Sequence, residues 1–183
     1  MSDSVGQGLG GAARLMLGDP GGAGLLDDTP AAMRFSLIGL ALMLAIDAGV
    51  WVAMEGRGDS IIGEVIVSLV SYAAMMGVVV LFARDADTRL RLPLFLVAQN
   101  WAMAVLSAVT LPIALMLVRL AVSPDTVAIA MMLWLAILVI AFTAWMRVVR
   151  ITLDQPPGRA AIITASSFVA QYVALGLMAP ASS

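Results

Sequence analysis

The chain contains no cysteine, no histidine and no lysine. Without cysteine there are no disulfides and no thiol chemistry. Without histidine there is no imidazole acid–base catalysis and no haem held by a histidine. The lack of lysine makes every basic residue an arginine. With so much alanine and glycine, that bias suits a GC-rich and hence bacterial genome. Charge is scarce too: 12% of residues are charged and the net charge is −2, so there is no electrostatic footprint for nucleic acid. Nucleophile–base pairs, metal-ligand spacings and phosphate loops are missing, so the sequence predicts no enzyme, no cofactor and no metal. Residues 1–20 lack a basic segment followed by an apolar one, and no cleaved signal peptide is expected.

What the chain has in excess is apolar residues. They make up 62% of the 183 residues, against roughly 45–50% in soluble domains. The excess falls in five runs, which predicts an all-α, polytopic membrane bundle of five transmembrane helices. The expected spans are about 34–54, 61–83, 92–122, 125–150 and 159–178. Together they form one membrane domain over residues 31–180, preceded by a cytoplasmic or interfacial segment at 1–30. The third run, Leu92 to Val122, is about thirty residues, longer than the roughly 20 a bilayer core requires. It holds Gln99, Asn100, Ser107 and Thr110, and Pro112 removes the hydrogen bond to the Ala108 carbonyl, which predicts a kink.

The first thirty residues are glycine-rich. Val5, Leu9, Ala12, Ala13 and Met16 recur at helical spacing, which suits a short interfacial helix from about Gln7 to Leu17. Four glycines between residues 6 and 11 interrupt the segment, and a disordered tail is the equal alternative. Asp28 or Thr29 caps the next helix, with Pro30 in its first turn. The turn Glu55-Gly56-Arg57-Gly58-Asp59 is short enough to make spans one and two an antiparallel hairpin. Ser123-Pro124-Asp125 is a helix start, and Asp154-Gln155-Pro156-Pro157-Gly158 separates spans four and five.

Arginine positions orient the chain. Eight of the ten, from Arg14 to Arg159, fall on the side of the N-terminus; Arg57 and Arg119 fall on the other. The positive-inside rule then places the N-terminus in the cytoplasm and the C-terminus outside. Trp51 and Trp145 are expected near the two membrane faces, and Trp101 and Trp134 between helices.

Asp47, Glu64 and Arg119 are the candidate intramembrane polar cluster. At 1.5 Å per residue, the depths of Asp47 and Glu64 differ by only about 5 Å. Intramembrane charges usually face the bundle interior, paired or functional. A structural ion pair in which Arg119 approaches a carboxylate is expected; a cation or proton site is the alternative. Gln99, Asn100 and Gln171 are candidate packing groups, with amides suited to gripping a neighbouring helix. The small residues Ala160, Ala161, Thr164, Ala165 and Ser167 suit a packing face. Arg84, Arg89, Arg91, Arg147 and Arg150 suit anionic lipid headgroups.

Five spans, a cytoplasmic N-terminal segment and an outside C-terminus resemble the Yip family of small membrane proteins, most closely its bacterial members. The likeness rests on Ala98-Gln99-Asn100-Trp101, on Trp145-Met146-Arg147-Val148-Val149-Arg150-Ile151-Thr152-Leu153 and on the alanine-rich start of span five. The resemblance implies no catalytic residues. The expected function is that of a non-catalytic inner-membrane protein binding lipids, other membrane proteins or itself, for example as an accessory subunit of a larger complex. A small transporter or channel using Asp47 and Glu64 is the alternative.

Overall fold

The computed structural model describes residues 4–55, 61–120 and 124–178; the side chains at 51, 53–55, 114, 118–120, 124 and 125 lie outside the described set. The described chain is all-helical. A short helix α1 (Val5–Leu17) is followed by a 3₁₀ segment (Pro20–Leu25) and five long helices: α2 (Pro30–Glu55), α3 (Ile61–Phe82), α4 (Ala86–Leu120), α5 (Pro124–Thr152) and α6 (Pro157–Met178). Each long helix is long and apolar enough to cross a membrane. Their contacts close a ring in the order α2, α3, α6, α5, α4 and back to α2, with α2–α4 and α3–α6 the most extensive pairs. We call the end of the ring that carries α1 basal and the opposite end distal.

Four of the five spans match the sequence expectation closely. The third begins earlier, at Ala86, so most of the charged stretch Arg84–Arg91 is helical instead of forming a loop. The reason is a cap: Asp85 Oδ1 accepts the Thr88 backbone N–H at 2.8 Å. The helix runs through both Pro93 and Pro112. The turn at 56–60 and the Ser123 cap lie outside the described residues.

At α1, where a helix and a disordered tail are equal alternatives in the sequence, the helix is the one observed, from Val5 to Leu17. It is a built helix, with a reciprocal Ser4–Gln7 capping box at its start and Gly18 at φ 91° closing its end, a conformation glycine adopts without strain. Gly8, Gly11, Ala12 and Leu15 form a buried stripe against α4, α5 and the 3₁₀ segment, and Ala12 and Leu15 are fully buried. A Cβ at Gly8 would collide with the Trp101 indole. The glycines that argue for disorder in the sequence are therefore what lets this helix approach the protein.

The core lies in the basal half. Phe95, Trp101, Trp145, Val148, Val149 and Leu153 are essentially fully buried there. Gly39 brings the backbone of α2 onto α4, where a Cβ would lie 2.7 Å from the Asn100 carbonyl oxygen. In the distal half, residues 131–136 of α5 are all exposed.

Candidate functional site

Polar side chains gather at three levels of the bundle. At the lowest, arginines close the basal ends of the helices. The last carbonyls of α3 have no helical partner of their own. Arg84 Nε donates to the Leu81 carbonyl at 3.2 Å, Arg159 to Phe82 at 3.0 Å and Arg89 to Ala83 at 3.0 Å. Arg147 donates to the Met16 carbonyl at the end of α1 at 3.2 Å. Arg91 pairs with Asp154 at 3.0 Å and Arg159 with Asp85 at 3.1 Å. Four of the five headgroup candidates thus make bonds inside the protein while keeping further N–H groups free. Arg150 makes none among the described residues.

The basal carboxylates are tuned by these contacts. The Thr88 hydroxyl and backbone N–H, together with Arg159, hold the Asp85 carboxyl well below its ordinary range. The Arg14 guanidinium, bonded at 2.6 Å, and the Gly21 N–H lower Asp19 likewise. Asp154 takes the left-handed conformation at φ 53°, while the Gln155 N–H returns to the Arg150 carbonyl at 3.0 Å to close α5. Gln155 donates through Nε2 to Thr88 Oγ1 at 3.0 Å and to the Leu153 carbonyl at 2.8 Å, and its Oε1 has no donor among the described residues.

The middle level holds the amides. Asn100 Nδ2 donates to Ser36 Oγ at 2.8 Å, Ser36 donates on to the Met33 carbonyl at 2.8 Å, and Tyr72 OH donates to Asn100 Oδ1. One side chain of α4 therefore clasps α2 and α3. Beside it the Trp145 indole N–H donates to Gln99 Oε1, joining α5 to α4. Trp145, two turns from the basal end of α5, sits in the core with its ring against Phe95 and Phe168, and its N–H has this buried partner. Gln99 Nε2, Ser71 Oγ, Thr164 Oγ1 and Ser167 Oγ are buried without partners among the described residues. Gln171 is half-buried and makes no hydrogen bond among the described residues.

At the distal level the Asp47 carboxyl faces the hydroxyls of Ser68 on α3 and Ser107 on α4. Glu64 is half-buried one turn further out on α3. The Arg119 side chain, expected to join them, lies outside the described residues, as does that of Trp51. Trp134, expected between helices, is 44% exposed instead.

Sequence reasoning passed over Ser36, Tyr72 and Gln155. One signal was available: Tyr72 is one of only two tyrosines and lies mid-span, where a phenolic O–H has to find a partner. Compared with known proteins, the chain matches no family model, no curated protein and no solved structure.

Proposed function

We propose that this chain is a non-catalytic protein of the bacterial inner membrane, with its N-terminus in the cytoplasm and its C-terminus outside. It acts by contacting lipids and other membrane proteins, as an accessory subunit of a larger complex. The arginine distribution supports the orientation: the basal end carries eight of the ten. A Yip-like family membership belongs to the same proposal. Its two motif segments contribute the partners of one buried contact, Gln99 and Trp145.

The observation that carries the reading is Trp134. It is ten residues into α5, about 15 Å from the start of that helix, so it sits mid-bilayer. Membrane tryptophans concentrate at the interfaces, whereas an exposed tryptophan at mid-depth suits a contact with another protein. The flanking residues Met131, Met132, Leu133 and Leu135 are exposed with it. A photo-crosslinking residue at 134, in native membranes, should give a discrete protein adduct. The same residue at Val80, 54% exposed on the basal part of α3, should not. Equal behaviour at the two positions would refute the reading.

A second reading, a small transporter, draws on Asp47 facing Ser68 and Ser107, an oxygen-lined intramembrane site. Cation or proton flux into liposomes that is abolished by Asp47→Asn would establish it.

A further inference from the structure

Several hydroxyls of the long helices bond to their own backbone. Ser36 donates to the carbonyl three residues back at 2.8 Å. Thr110, Thr143 and Thr152 each donate to the carbonyl four residues back at 2.7 Å. Thr164 and Ser167 of α6 do not. Both residues are fully buried, and neither hydroxyl has a partner among the described residues. A hydroxyl that leaves its own helix unused is free to serve another group. The two stand three residues apart, so they share one face of α6 with about 5–6 Å between their Cβ atoms.

A third group without a partner reaches the same turn. Gln99 of α4 is fully buried, and the Trp145 indole N–H occupies its Oε1. Both N–H groups of its Nε2 are left without an acceptor among the described residues. Trp145 in turn sets its ring edge-on against Phe168, with 6.0 Å between centroids. Phe168 follows Ser167 and lies one turn distal to Thr164. The indole therefore stands against the turn of α6 that carries both hydroxyls, and the Gln99 amide stands with it.

Leaving three such groups dry is costly, and more so where lipid surrounds the bundle. What they lack defines what fits between them. Gln99 needs an acceptor, and each hydroxyl can use a donor or an acceptor. The occupant has to be small, because all three residues are enclosed. It has to be neutral, because the ionisable side chains described above lie at the basal and distal levels and would not compensate a charge here. A water molecule meets these terms. It would have three partners, the usual number for a buried water.

We propose that α4 and α6 are joined through an internal water site, in which one water accepts from Gln99 Nε2 and bridges Thr164 Oγ1 and Ser167 Oγ. The polar chain then runs from Trp145 on α5 through Gln99 on α4 to α6. Among the described residues the other side-chain hydrogen bonds of α6 are those of Arg159 at its basal start, so this water is what ties α6 by hydrogen bonds to the interior. The site goes beyond the functional proposal and holds whatever protein α5 meets.

The test uses the full-length protein and two readouts. A structure at a resolution that shows ordered water should place a density peak about 2.6–3.2 Å from all three atoms. Thr164→Val with Ser167→Ala should remove it. A wild-type map without the peak, or with the hydroxyls turned onto the Ala160 and Ile163 carbonyls, would overturn the site. Thermal unfolding in mild detergent reads the same bridge independently. Thr164→Val and Ser167→Ala should each lower the unfolding temperature by about 2–4 °C. The double variant should lose clearly less than the sum, since the one shared water is lost only once. Single variants that both unfold at a higher temperature would show dry hydroxyls, and losses that simply add would show two separate contacts; either result overturns the shared water.

Discussion

The two halves of the bundle are built differently. The basal half contains the buried aromatics Phe95, Trp101 and Trp145, the packed helix α1, and ion pairs from Arg14 to Asp19, Arg91 to Asp154 and Arg159 to Asp85. The distal half exposes Ile62 and Ile66 on α3, Met116 on α4, Met132 and Trp134 on α5, and Leu177 on α6. Both halves are apolar, so hydropathy does not separate them. What separates them is small residues and hydrogen bonds. Gly8 and Gly39 allow close approach basally, and Asn100 and Gln99 lock the helices that approach. Between membrane helices, tight packing and polar contacts drive association, because lipid tails are as apolar as leucine. The packing and hydrogen bonds are thus concentrated basally, and residues 131–136 of α5 are left exposed.

The contrast is broken most severely at Trp145. Trp145→Ala removes a large core side chain and leaves Gln99 Oε1 without its donor. We expect a loss of about 3–5 kcal/mol, read as a fall of roughly 10 °C in the unfolding temperature in detergent. Leu15→Ala, on the fully buried stripe of α1, should cost about 2–4 kcal/mol. If it costs nothing in the same assay, α1 is an ornament on the base and not part of it.

The spans were legible because each apolar run exceeds bilayer thickness and ends at a cap or a proline. The Asn100 clasp was legible as a polar group deep in an apolar run, though its partners Ser36 and Tyr72 were not, since helix rotation decides which side chains meet. At α1 a helix and a disordered tail read as equal because glycine lowers helix propensity, and only a neighbouring helix reveals that it also permits contact. Arg84 and Arg89 read as headgroup ligands, since their helix-end carbonyl partners cannot be seen in a charge pattern. Trp134, expected between helices, is 44% exposed, and Trp145 is buried in the core. Depth along a helix is read from residue numbers, while burial depends on where the neighbouring helix diverges.

Smaller effects sharpen the contrast. Asn100→Leu should cost about 0.5–2 kcal/mol by thermal unfolding, and Asn100→Gln less. An unchanged unfolding temperature for Asn100→Leu would remove the clasp from the list of stabilising contacts. Acid should loosen the basal end. Asp85 and Asp19 are held below the ordinary value of 3.8, so their contribution is complete above that pH and is lost as the pH falls through their lower folded values. Unfolding temperature should stay flat from about pH 7 to 5 and decline below about pH 4, less steeply in Asp85→Asn. Equal slopes with and without Asp85 would show that its bonds to Thr88 and Arg159 add no net stability.

The smallest effect on stability is expected where the functional claim is strongest. Trp134→Ala should keep the unfolding temperature within about 2 °C of wild type, since the side chain is 44% exposed and outside the buried core. The decisive measurement reads two quantities on that one variant: its unfolding temperature in detergent, and recovery from native membranes of the protein that crosslinks at position 134. An unchanged temperature with the partner lost is the expected result. A fall comparable to that of Trp145→Ala, or full recovery of the partner, would contradict the division between a basal half that holds the fold and a distal helix that makes the contact.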